Sequence, residues 1–294
     1  MRKTLVLPAV SVVGGLIGLA VRRVQLRTAF EPGTGLPISG APATYGMWAV
    51  VILTAVALVI LCRGKHRTFE ACYTSAFRAT GMVQLSALMA GAILMAVAGF
   101  LNMEYFLSAP VDFFTGRRTV SMVRVVLGVA CLAAAVGIWL TAQRMRSGYQ
   151  VRSVWVLMPG LAGCLWVMGN YQAWAQDPVM GGYVFFLLAV LSTIAAGYLL
   201  PAFAFGKGRV TASLVVCLLG PALCIMSLGD GRPLCDVSLL LATAFYLLAM
   251  GSALMTNDAK SVVPEGPAAC GGGCESCPGC GPLPVNPTPE EPEV

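Results

Sequence analysis

Four thiols crowd one segment near the C-terminus, CGGGCESCPGC: Cys270, Cys274, Cys277 and Cys280. Thiolates so spaced can close around Zn²⁺ or an iron–sulfur cluster, and the glycines would let a short loop fold back with no core to help. Structural zinc sites usually separate two Cys-x-x-Cys knuckles by about a dozen residues or more, whereas this string is compressed. Two readings therefore stand, a metal-binding tail and a disordered tail that is incidentally rich in cysteine.

A second set of candidates pairs carboxylates with guanidiniums. Arg27 and Glu31 flank the loop FEPGTGLPISGAP, and Asp112, Arg117 and Arg118 lie in NMEYFLSAPVDFFTGRRTV, where aromatic rings alternate with charges. Rings in the headgroup region with Arg117 and Arg118 on phosphates would suit a lipid ligand. The competing reading is ordinary solvated loop charge. His66, the single histidine, sits in RGKHRTFE with no thiol or carboxylate at ligand spacing, and reads as a solvated loop residue. One histidine cannot supply two axial haem ligands, and no serine triad, HExxH, P-loop or dinucleotide fingerprint occurs.

The elements that must position these residues are membrane helices. The chain has 294 residues, 57% hydrophobic and only 11% charged, against roughly 25% charged in soluble domains. Its mean hydropathy is +0.80. Eight apolar runs approach the length of about 20 residues that crosses a bilayer core: approximately Thr4 to Val21, Met47 to Cys62, Met82 to Asn102, Arg124 to Gln143, Val154 to Tyr171, Gly182 to Phe205, Thr211 to Gly229 and Val237 to Met255. No sustained alternation of period two appears, so a barrel is disfavoured. The fold expected is all-α: a polytopic transmembrane bundle of about eight helices over residues 1–256, with a disordered Cys-, Pro- and Gly-rich tail over 257–294.

Most of the 19 Lys and Arg fall in the termini and in the even-numbered connections, which predicts both termini in the cytoplasm. The net charge of +6 then reflects topology and attraction to the lipid surface, with no nucleic-acid partner implied. The basic, apolar start also has the form of a signal peptide, but an uncleaved first span is the expectation. Matching prolines, Pro8 with Pro159 and Pro32 with Pro178, hint at a 4+4 duplication of 1–146 and 151–256, although such short matches arise readily by chance.

Within these span limits there is no Asp, Glu or Lys, and Arg124 stands at a boundary. Proton relays in membranes are built from such groups, so a proton-coupled pump is disfavoured. Gln84, Asn102, Asn170 and Gln172 read as helix-bridging groups. Pro159-Gly160 and Gly220-Pro221 interrupt two spans and so mark either kinks or a ligand site, while Gly14 and Gly18 form a GxxxG step that favours close packing.

The loop RTAFEPGTGLPISGAPAT, followed directly by a helix, resembles a pattern in uncharacterised polytopic membrane proteins of Gram-positive anaerobic bacteria. The resemblance implies a bacterial cytoplasmic-membrane protein and brings no activity, cofactor or catalytic residue with it. The helix count is also similar to that of quinol-binding anchors of respiratory molybdoenzymes, by architecture alone. Three functional readings follow. The leading one is a non-catalytic scaffold or accessory subunit, or a permease-like bundle without proton coupling, whose partners are the bilayer and other membrane subunits. The second is a quinone- or redox-associated anchor with Zn or an iron–sulfur cluster on its tail. The third is an outward-facing lipid-modifying enzyme using Arg27, Glu31, Asp112, Arg117 and Arg118.

Overall fold

The computed structural model describes residues 2–31, 36–64, 66, 69, 73–78, 81–111, 119–149, 151–176 and 182–259, the side chains of 2–5, 74 and 172–176 aside. Among these residues the regular structure is helical: α1 (Arg2–Thr28), α2 (Pro42–Cys62), α3 (Tyr73–Phe77), α4 (Met82–Ser108), α5 (Val123–Ser147), α6 (Ser153–Gln176), α7 (Val184–Leu199), α8 (Val210–Ser227) and α9 (Leu234–Asp258). Short 3₁₀ turns extend α7 over Pro201–Phe205 and α8 over Leu228–Asp230. All except the five-residue α3 belong to segments long and apolar enough to cross a membrane, eight in number. The chain is a multi-pass membrane helical bundle.

Several helices run beyond the apolar limits read from sequence, and the extra turns carry charge. α1 continues through Arg22, Arg23 and Arg27; α4 takes in Glu104; α9 begins at Leu234 and so includes Asp236. A helix satisfies its own backbone bonds, so extending it by a turn at the membrane edge is cheaper than ending it where no donor or acceptor waits. Hydropathy alone stops at the charge, whereas the helix does not.

Packing follows the order of the hairpins. α4 lies against α5 and α9, α5 against α6, α6 against α7, α7 against α8 and α8 against α9, which closes a ring of six helices. α1 packs on α8, with α2 against both. α8 and α9 are the most enclosed, and α1 and α2 the most open. Close approach depends on small residues. Where α6 meets α7, a methyl built on Gly160 would lie 2.7 Å from the Cα of Gly197, far inside van der Waals contact, so the two backbones touch.

The two proline steps do not break their helices. Pro159 lies inside α6 and Pro221 inside α8. Pro159 cannot donate to the carbonyl of Trp155, four residues back. That carbonyl faces Gly137 of α5, where an added Cβ would sit 2.8 Å away. A neighbouring helix with no side chain at the crossing thus covers the weakened turn.

Candidate functional site

The helix ends predicted to face outward are those of α1, α4, α6 and α8 at their C-termini and α2, α5, α7 and α9 at their N-termini. At this end the structure buries two ion pairs. Arg124, in the first turn of α5 and 5% exposed, donates from Nη1 to Asp236 Oδ1 at 2.8 Å and from Nη2 to Asp236 Oδ2 at 3.4 Å. Asp236, in the first turn of α9, is 1% exposed. A carboxylate at a helix N-terminus also meets the favourable end of the helix dipole.

The surroundings complete the pair. Arg124 Nη1 donates to Asn102 Oδ1 of α4 at 3.0 Å, and Nη2 to Asn170 Oδ1 of α6 at 2.7 Å. Each amide is held in that orientation because its own Nδ2 bonds back within its helix, to Ala98 O and Trp166 O. Trp166 Nε1 donates to Asp236 Oδ1 at 2.8 Å. Four helices, α4, α5, α6 and α9, are thereby joined through one guanidinium and one carboxylate. Asn102 and Asn170 do bridge helices, as their sequence positions suggested.

The second pair lies beside the first. Arg22 of α1 is fully buried and donates from Nε to Asp230 Oδ1 at 2.6 Å. It also reaches Gln25 Oε1 and the carbonyl of Gly182, each at 2.8 Å. Gln25 in turn donates to Thr44 Oγ1 of α2 at 3.4 Å. Neighbouring residues of α7 serve the two pairs separately. The Phe185 ring lies under Arg22, 5.0 Å from its guanidinium carbon, while Phe186 meets Trp166 edge-on with centroids 5.0 Å apart.

Both carboxylates come from one short connection, GDGRPLCD, Gly229 to Asp236. Gly231 there has φ +65°, a left-handed conformation that glycine adopts without penalty. The turn it permits leaves Asp230 at the end of α8 and Asp236 at the start of α9. So short a link between two enclosed helices holds its charges against their ends.

The residues singled out from sequence are placed differently. Arg27 and Glu31 are exposed. Beside them the flanks of the first loop are joined by an isolated bridge between Phe30 and Pro37, with Glu31 N–H donating to Leu36 O at 2.9 Å and Ile38 N–H to Ala29 O at 2.8 Å. Asp112, Arg117 and Arg118 lie outside the described residues, as do Cys270, Cys274, Cys277 and Cys280, so the lipid-headgroup and tail-metal constellations carry no geometry. The described cysteines are free thiols, all buried except Cys164.

His66 is not a solvated loop residue. At the opposite end of the bundle its Nδ1 lies 2.8 Å from Asp258 Oδ2, and its Nε2 lies 2.7 Å from Cys62 O. The partner escaped sequence reading because it is 192 residues away. Beside it, Asn257 Nδ2 donates to Ala76 O and Arg78 O. These bonds hold the exit of α3, whose Tyr73 and Phe77 rings stack at 4.6 Å.

Fold and site together define a polytopic membrane bundle locked at one end by buried ion pairs. Compared with protein-family models, curated proteins and solved structures, the chain matches none.

Proposed function

We propose that this protein is a non-catalytic membrane subunit, a scaffold or accessory component whose bundle works as a fixed unit. The observation that supports this reading is the saturation of Asp236. Its oxygens accept from both terminal nitrogens of Arg124 and from the Trp166 indole. A carboxylate that relays protons must alternate between charged and neutral forms, and Asp236 would forfeit these bonds on each cycle. Burying an ion pair gives little net stability, yet breaking one is costly, so such a pair fixes an arrangement more than it strengthens it.

The test is reconstitution of the full chain into liposomes bearing a pH gradient. Wild-type protein is expected to carry no proton flux, and Asp236→Asn to reduce folded protein without altering any flux. Proton flux that Asp236→Asn abolishes while the bundle stays folded would overturn the proposal and make Asp236 a carrier group. Crosslinking in native membranes supplies the positive arm, with a stoichiometric second membrane subunit expected; a chain that remains alone there would count against the accessory role.

A further inference from the structure

The Asp236 end holds a third guanidinium, that of Arg232, beside the two ion pairs. Among the described residues, Arg22, Arg124, Asp230 and Asp236 are the charged groups that act on Arg232. Asp230 is bonded through Oδ1 to Arg22 and Asp236 to Arg124, while Asp230 Oδ2 is buried without a hydrogen-bond partner. Among the described residues no carboxylate lies within ion-pair distance of Arg232. Arg232 thus stands in the turn between α8 and α9 without an ion pair among the described residues.

A ring and the turn itself hold this cation in place. The Arg232 guanidinium carbon stands 4.2 Å from the centroid of Phe186, which fixes the plane by cation–π attraction. Its Nε is buried with no hydrogen-bond partner. The side chain is partly open to the surroundings, between exposed Gly231 and Leu234, the latter 74% exposed. Burial pushes the Arg232 guanidinium below its ordinary value, with Asp230 and Asp236 only partly opposing the shift. The like charges of Arg22 and Arg124 add to it.

We infer that Arg232 is a binding site for an anionic phosphate group. A guanidinium presents a planar fork of donors that matches phosphate oxygens, and the site lies where a membrane helix pair turns, beside an exposed leucine. Two sources have this chemistry, the headgroup of an anionic phospholipid and free phosphate. In the lipid case Leu234 would meet the acyl chains while Arg232 holds the headgroup.

The experiment uses the purified full chain in detergent and reads bound lipid by native mass spectrometry, with phosphatidylglycerol and phosphatidylcholine offered at equal concentration. Wild type is expected to retain phosphatidylglycerol in preference, and Arg232→Gln to lower that occupancy about tenfold. Arg23→Gln, an exposed α1 residue at the same end, should leave it unchanged. Inorganic phosphate separates the sources: if it displaces the lipid, or raises the melting temperature of lipid-free wild type but not of Arg232→Gln, the site also takes the free anion. If it does neither while the lipid preference holds, the ligand is the headgroup. Equal retention of the two lipids with no response to phosphate would overturn the inference, and so would an equal loss in Arg23→Gln, which would reduce the effect to general surface charge. Arg232→Lys keeps the charge without the fork and serves if the glutamine variant fails to fold; it should bind more weakly than wild type, and equal binding would refute the site.

Discussion

Replacing Asp236 by Asn removes the charge that neutralises Arg124 and leaves a guanidinium, 5% exposed, among helices with no other carboxylate bonded to it. Breaking a buried pair from one side costs about 3–5 kcal/mol. Arg124→Met should cost a similar amount by stranding Asp236. The double variant, Arg124→Met with Asp236→Leu, strands no charge. It leaves Asn102 Oδ1, Asn170 Oδ1 and Trp166 Nε1 without the partners they have now, each worth about 1 kcal/mol at the low end of the cost for an orphaned buried group. The double should therefore cost about 3 kcal/mol, well below the roughly 6–10 kcal/mol that two independent losses would sum to. Unfolding in mixed micelles of increasing SDS fraction, followed by tryptophan fluorescence, measures all three. A single variant costing under about 1 kcal/mol, or a double equal to the sum of the singles, would refute the claim that these two residues act as one desolvated unit.

Two further outcomes follow from other contacts. Gly197→Ala places a methyl 2.5 Å from the Cα of Gly160 and should destabilise by about 1–3 kcal/mol through forced separation of α6 and α7; an unchanged SDS midpoint would show that the backbones can part freely. His66 meets Asp258 Oδ2 and Cys62 O through its two ring nitrogens, a contact worth about 0.2–1 kcal/mol for so exposed a pair, its side chains being 17% and 16% exposed. His66→Ala should lower the SDS midpoint accordingly, and an unchanged midpoint would show that this contact does not tie the ends of α2 and α9.

The bundle was legible because hydropathy reports length, and eight runs near the length of a bilayer core admit few other folds. What the sequence hid was depth. Arg22 falls just after the first apolar run and Asp236 just before the last, so a boundary drawn at the charge assigned both to water. The signal that would have found them is the link itself: GDGRPLCD places three ionised groups between two strongly apolar helices with too few residues to carry them clear of the helix ends. Once Asp236 is known to be buried it needs a cation, and Arg124, the arginine already at a span edge, is the natural candidate. Partner identity beyond that was unreadable, since Arg22 and Asp230 are 208 residues apart and His66 and Asp258 are 192 apart, and no local periodicity encodes such pairings.

That both carboxylates sit on the last helical hairpin has a consequence for biosynthesis. Arg22 and Arg124 emerge from the ribosome early, and the residues that neutralise them come late. At about 5–20 residues per second, the 208 residues from Arg22 to Asp230 take roughly 10–40 s, during which Arg22 lacks the carboxylate it holds in the finished bundle. The α8–α9 hairpin is thus the keystone of assembly: a nascent chain stalled before it should remain open and reachable by proteases, and the arrival of eight residues, Gly229 to Asp236, should bring Arg22 and Arg124 their carboxylates together.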